Sequence, residues 1–282
     1  MKRRIKLAVY ILFFIGIIIL SAVLQTVPSD DYRITFIDVG QGDSTVIKSK
    51  KACVLIDAGA DKDARKIRVI LDRLKVKTID LAVLSHLDSD HISGMRDIIE
   101  NYKVKRIVTG KIGERYFPDS PSLNELDYAV DLNNVDYDCV KAGEKLFVGD
   151  IDIDVISPEF EYGKSNEDSA VLKIICGGKK LLFTGDISSK VEKDIMRKND
   201  VKADILKVSH HGSYTATSKK FLQAVNPSFA VVSVSKYNNY NLPNLKVMRR
   251  LYGYGCKVLR TDEMGNITIK LNDDTTSFES EK

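Results

Sequence analysis

The chain has four histidines, and all of them directly follow two apolar runs that read as strands. His86 and His91 stand in SHLDSDHISG after TIDLAVLS, and His210 and His211 stand in SHHGS after ADILKV. If these imidazoles act together, the fold must bring the ends of two strands far apart in sequence to one edge. A third strand end, LLFTGD, carries Asp186. Alone, such an acid is a turn or cap residue; beside two histidine clusters it reads as a ligand. In an extended segment, residues at i, i+2 and i+4 project to one side. His86, Asp88 and Asp90 are therefore predicted to converge, with His91 at the start of a helix pointing elsewhere, an arrangement that suits two neighbouring metal ions. Mixed imidazole and carboxylate suit zinc, manganese or iron. The alternative for this segment is an acidic loop before a helix, with Asp90 or Ser89 as its N-cap.

The rest of the chain alternates short β-branched runs with amphipathic stretches. YRITFIDV, DSTVIKS and ACVLIDAG predict three antiparallel strands joined by turns. KDARKIRVILDRL has helical spacing, HISGMRDIIENY returns to helix after the strand TIDLAVLS, and SLNELDYAVDL is a helix with Ser122 available as cap. Later strands fall at VKRIVTG, KLFVGDIDIDVISP, SAVLKIICGG, KKLLFTGD, FAVVSVS, CKVLRTD and NITIKL. Helices fall at SKVEKDIMRKN, KKFLQAV and LKVMRRLYGY. One two-sheet domain with helices on its faces fits better than two domains.

The N-terminus differs. Lys2, Arg3, Arg4 and Lys6 precede an uncharged apolar run from Leu7 to Leu24, long enough to span a bilayer as a helix. With the positive charge on one flank, the remainder is expected outside the cytoplasm. The reading is a membrane anchor over 1–27 and a single domain over 28–282, with a cleaved signal sequence and a secreted product as the alternative. Without those four cations the body holds 39 basic against 39 acidic residues, which argues against a globally basic nucleic-acid binder. Cys53, Cys139, Cys176 and Cys256 are scattered and read as buried small apolar residues.

H-x-D-x-D-H after a strand, TGD after a later one and a final SHHGS resemble the metallo-β-lactamase superfamily. Within it, IDVGQGDSTVI, LIDAG, SHLDSDHISG, LLFTGD and DILKVSHHGS resemble the hydrolase domain of ComEC/Rec2-type competence proteins, from Tyr32 to Leu271. The resemblance implies an α/β fold, a metallo-β-lactamase-like αββα four-layer sandwich, with two divalent metal ions, Zn or Mn, at the sheet edges. It assigns His86 and Asp88 to the first ion, Asp90 and His91 to the second, and Asp186 to a bridge. One of His210 and His211 completes a shell, His211 being favoured, and its neighbour contacts substrate or transfers a proton. Asp168, in NEDSAV, is a further candidate ligand, while Asn166 is equally a turn cap. Asp57 and Asp43 either support the metal loop or serve as turn residues. Relatives usually carry His before the proline where this chain has Leu242, a departure that puts substrate handling in doubt. His is also usual where Asp88 stands in β-lactam hydrolases, so that activity is not expected.

Two metals sharing a carboxylate suit hydrolysis without a side-chain nucleophile; no G-x-S-x-G occurs, and no cysteine lies in either histidine motif. Asp90 is the candidate base that orients water. The expected substrate is a phosphodiester, with DNA or a cell-surface polymer as candidates. A phosphorylcholine or teichoic-acid esterase and a non-catalytic, metal-stabilised binding module are the alternatives. Lys207, Lys219, Lys220 and Lys236 suit phosphate steering or plain solvation. Tyr237 and Tyr240 suit stacking on bases or a choline-like group, or an ordinary surface loop. With one spanning segment visible, the chain is not expected to carry DNA across a membrane by itself. Oligomeric state does not follow from the sequence.

Overall fold

A computed structural model of the chain describes residues 32–110, 120–272 and 275–282. The run Leu7–Leu24, and with it the anchor, lies outside the described residues. Among the described residues no helix is long and apolar enough to cross a membrane.

The first half lays down β1 (Tyr32–Phe36), β2 (Thr45–Lys48), β3 (Cys53–Ile56), α1 (Ala64–Arg73), β4 (Thr78–Ile79), β5 (Leu81–Leu84), α2 (Ser89–Ile92), α3 (Met95–Asn101), β6 (Lys103–Val104), β7 (Arg106–Gly110), α4 (Pro121–Asn133) and β8 (Asp136–Val140). The second adds β9 (Lys145–Val148), β10 (Ile151–Ser157), β11 (Val171–Cys176), β12 (Lys179–Phe183), α5 (Ser189–Lys198), β13 (Ile205–Lys207), α6 (Lys219–Val225), β14 (Phe229–Val232), α7 (Leu245–Tyr254), β15 (Lys257–Arg260), α8 (Thr261–Met264), β16 (Ile267–Leu271) and β17 (Thr276–Ser280).

The two large sheets run β17-β16-β1-β2-β3-β5-β7-β8 and β15-β14-β13-β12-β11-β10-β9, and β4 and β6 pair as a small two-stranded sheet. β1, β2 and β3 are antiparallel, as expected. Pairing then turns parallel through β3, β5 and β7 and through β12, β13 and β14. In parallel sheets functional residues gather beyond the carboxyl ends of strands, and those are the ends that carry LIDAG, SHLDSDH, TGD and SHHGS.

Three apolar clusters separate the layers. Phe36, Val83, Leu172, Phe183 and Val231 belong to the cluster between the sheets, where the Phe36 and Phe183 rings stack at 5.9 Å. Ile67 and Leu71 of α1 and Ile98 of α3 cover the first sheet, and Val191 of α5, Phe221 of α6 and Leu251 of α7 cover the second. The order helix, sheet, sheet, helix follows from helices with one apolar face each, which must bury it against a sheet.

Local readings differ in places. The α4 cap is Ser120, whose Oγ accepts from Leu123 N; Ser122 pairs with Ser93 instead. HISGMRDIIENY is two helices, α2 and α3, rather than one. Cys53 and Cys176 are buried as expected, but Cys139 is exposed and Cys256 half-buried. β17 has no counterpart among the strands that the sequence predicts, since TSFES on a sheet edge gains its partner only from β16.

Candidate metal centre

Asp57, in a left-handed backbone conformation after β3, organises the first motif. Its Oδ1 accepts from Ser85 N at 2.7 Å and its Oδ2 from Ser85 Oγ at 2.8 Å. The same oxygen lies 2.9 Å from His91 Nδ1, and Ser85 Oγ lies 3.0 Å from His86 Nδ1. Across the site, His211 Nδ1 lies 3.0 Å from Ser233 O. An Nδ1–H donated outward leaves the Nε2 lone pair as the ligand atom. In all three buried histidines, Nε2 has no hydrogen-bond partner, and neither has Asp186 Oδ1.

Those atoms converge. Asp186 Oδ2 is 3.7 Å from His91 Nε2, 3.7 Å from His210 Nε2 and 3.6 Å from His211 Nε2. His86, His91 and Asp186 form one group whose ligand atoms lie within 4.8 Å of one another, and Asp90, His91 and His211 form a second. Asp88 Oδ2 stands 3.6 Å from His86 Nε2, and Asp90 Oδ2 stands 3.5 Å from His211 Nε2. Buried donors and acceptors left unpaired cost about 1–3 kcal/mol each, and a cation bound among them removes that cost. Divalent zinc, manganese or iron fits this nitrogen and oxygen set.

The alternation argument fails at Asp88, where the chain turns into α2. His91 does not point elsewhere: its ring packs 4.1 Å from that of His86. His210 and His211 reach the site from adjacent positions because both adopt left-handed backbone conformations, φ 50° and 51°. Each such non-glycine residue costs about 1–2 kcal/mol, and strain of this kind concentrates at functional sites. His211 is buried, while His210 is a third exposed.

Asp168 belongs to none of the groups of three; its Oδ1 accepts from Tyr162 N at 2.6 Å, and burial raises its pKa. Its neighbour Asn166 is the closer participant, with Nδ2 3.5 Å from His210 Nε2. Lys207 does not steer phosphate from the surface, because it is buried and donates to Asp43 Oδ2 at 2.7 Å. Asp43 in turn anchors the GQGD loop under Asp90: Asp43 N donates to Asp90 O. A Cβ on Gly42 would lie 2.2 Å from that carbonyl, at a φ of +132° that glycine tolerates.

Burial opposes charge throughout the cluster, yet the partners prevail. Asp57 and Asp186 hold the His91 imidazole well above its ordinary pKa. Asp186 and Asp43 raise His211. His211 and His91 hold the buried Asp186 carboxylate well below its usual range, and Asp90, 3.5 Å from His211 Nε2, is depressed in the same way. A cleft of about 350 Å³ opens over Asp88, Asp90, Asp186, His210 and His211, with Leu242 on its wall. A second cleft of about 330 Å³, lined by Arg68, Asp72 and Tyr102, holds none of these groups.

Sequence reasoning missed Ser85, Ser233 and the inward direction of Lys207. A lysine inside the apolar strand ILKV was the available signal, since a buried cation needs a carboxylate. Ser233 acts through its carbonyl, which side-chain patterns cannot reveal.

Residues 37–236 match the metallo-beta-lactamase superfamily profile. The chain is 31% identical to ComE operon protein 3 of Bacillus subtilis over 89% of its own length and 34% of the relative's. It is 30% identical to competence protein ComA of Neisseria gonorrhoeae over 88% of its own length and 33% of the relative's. It thus spans about a third of those proteins. In structure it is similar to the metallo-beta-lactamase fold protein YhfI of Bacillus subtilis, with a TM-score of 0.60 at 13% identity, covering 86% of this chain and 99% of that one. It also shares the fold of the diiron beta-hydroxylase CmlA of Streptomyces venezuelae, with a TM-score of 0.58 at 14% identity, covering 87% of this chain and 54% of that one. The chain therefore belongs to the metallo-beta-lactamase superfamily of metal-dependent hydrolases, and within it is related to the competence proteins.

Proposed function

We propose that the chain is a membrane-anchored, two-metal phosphodiesterase whose catalytic domain lies outside the cytoplasm, with DNA or a cell-surface polymer as substrate. The observation that carries the hydrolytic reading is the meeting of three imidazole Nε2 atoms within 3.7 Å of Asp186 Oδ2. The relationship to competence proteins supports a phosphodiester, and the sequence over Leu7–Leu24 supports the anchor.

His86 and Asp88 would hold one divalent ion, and Asp90, His91 and His211 the other, with Asp186 between them. When bound, such ions supply Lewis acidity at the phosphoryl oxygen and acidify water. Asp57, Ser85 and Ser233 fix the imidazoles so that no reorganisation is needed. Asp90 is about a third exposed at the cleft, with its Oδ2 3.5 Å from His211 Nε2. It accepts a hydrogen bond from the attacking water and orients it. His210 lies at the mouth beside Asn166 and is placed to contact the ester or pass a proton to the leaving oxygen. Leu242 brings an apolar wall where relatives usually have an imidazole, so that proton role falls to His210 alone.

The test uses the full chain in detergent, reloaded with Mn²⁺ or Zn²⁺, against bis-p-nitrophenyl phosphate. Turnover should be lost in Asp186→Ala. A metal-loaded parent without turnover would favour the binding-module alternative, which the replacement at Leu242 also favours.

A further inference from the structure

The cleft carries a composition unusual for a phosphate site: among the described residues no Lys or Arg lines it. Lys207 is spent on Asp43 inside the protein. Lys236 lies over the Tyr237 ring, 5.6 Å from its centroid. What the lining offers instead is aromatic. Tyr214 and Tyr240 border the cleft yet are 72% and 71% exposed, and among the described residues neither ring packs on another aromatic ring.

The two rings come from separate loops that are tied together. Tyr214 follows the histidine loop directly. Tyr240 sits on a loop gathered around Asn238, whose Oδ1 accepts from Tyr240 N and Leu242 N at 3.1 Å and whose Nδ2 donates to Ser235 O and Leu242 O. That loop is clamped to the histidines: Asn244 N donates to Gly212 O at 2.9 Å. A Cβ on Gly212 would lie 2.7 Å from Pro243 Cβ. The backbone that carries the two rings is thus tied to the histidine loop. Exposed rings at a cleft that no Lys or Arg lines among the described residues suit stacking on a flat group.

Resting on the phosphodiester reading above, we propose that Tyr214 and Tyr240 are specificity-determining residues that stack on an unpaired nucleobase beside the scissile ester. The cleft then selects its substrate by that flat group rather than by phosphate charge. Stacking on aromatic side chains gives about 5- to 150-fold in affinity per base.

The experiment compares a short single-stranded oligodeoxythymidylate with the same strand made abasic, using the full chain in detergent with Mn²⁺. The parent should prefer the base-bearing strand by about 5- to 150-fold in kcat/KM, mainly through KM. The preference should fall to near one in the Tyr214→Ala/Tyr240→Ala variant and return in Tyr214→Phe/Tyr240→Phe. The salt dependence of log KM should be no steeper than about 0.7, the value for one phosphate contact on a single strand. Equal cleavage of both strands, a preference untouched by the alanine pair, or a steep salt dependence would each overturn the proposal. If bis-p-nitrophenyl phosphate is still hydrolysed in that case, the phosphodiesterase reading stands and only the stacking role falls. If the metal-loaded chain hydrolyses none of the three, both fall together.

Discussion

Lys207 Nζ lies 2.7 Å from Asp43 Oδ2, with the two side chains only 3% and 6% exposed. Removing one partner of such a pair leaves a charge buried and unpaired, at a cost of about 3–5 kcal/mol. Lys207→Met should therefore lower the unfolding free energy by about that amount in urea titrations, and adding Asp43→Asn should recover part of it. A loss under about 1 kcal/mol would mean that Asp43 is stabilised by other groups.

Asp57 does not line the cleft over the ligands but orients His91 and, through Ser85, His86. Asp57→Asn should lower metal affinity about 10- to 100-fold, read by chelator competition, with the far-ultraviolet circular dichroism unchanged. Unaltered affinity would reduce Asp57 to a turn residue.

The two adjacent histidines should separate in their effects. His211 is buried with Nδ1 on Ser233 O, whereas His210 is a third exposed. His211→Ala should lose bound metal by elemental analysis. His210→Ala should retain most of it while turnover drops about 10²-fold or more. The reverse pattern would exchange the two roles.

Glu192 lies buried beneath α6 and accepts from the backbone N–H groups of Thr217 and Ser218. Burial raises its pKa above 4.5, more than those donors lower it. The native state therefore holds this proton more tightly than the unfolded chain. The contribution is fully present below about 4.5 and is lost as pH climbs through the folded value. Glu192→Gln has no such titration, so the stability of the wild type relative to the variant should fall as pH rises above 4.5. A difference that is flat or rises with pH would contradict the raised pKa.

Ser120 displaced Ser122 as the α4 cap, and HISG broke into two helices, because single-residue boundaries depend on neighbours that periodicity does not see. His91 was misdirected for a related reason. Extended alternation holds only while the strand continues, and α2 begins at Ser89. Lys207 and Asp43 are far apart in sequence, so their pairing depended on β13 lying beside the GQGD loop.

The sequence by itself determined which residues could bind metal and that they stand at strand ends, because apolar runs of strand length followed by His and Asp are local patterns. It also determined the two-sheet class, since strand and helix periodicities are written into each segment. Only the tertiary structure decided which imidazole nitrogen faces inward, that Lys207 is internal, and that Tyr214 and Tyr240 share one cleft. Those outcomes depend on burial and on hydrogen bonds between segments from opposite halves of the chain, and both arise only when the two sheets pack.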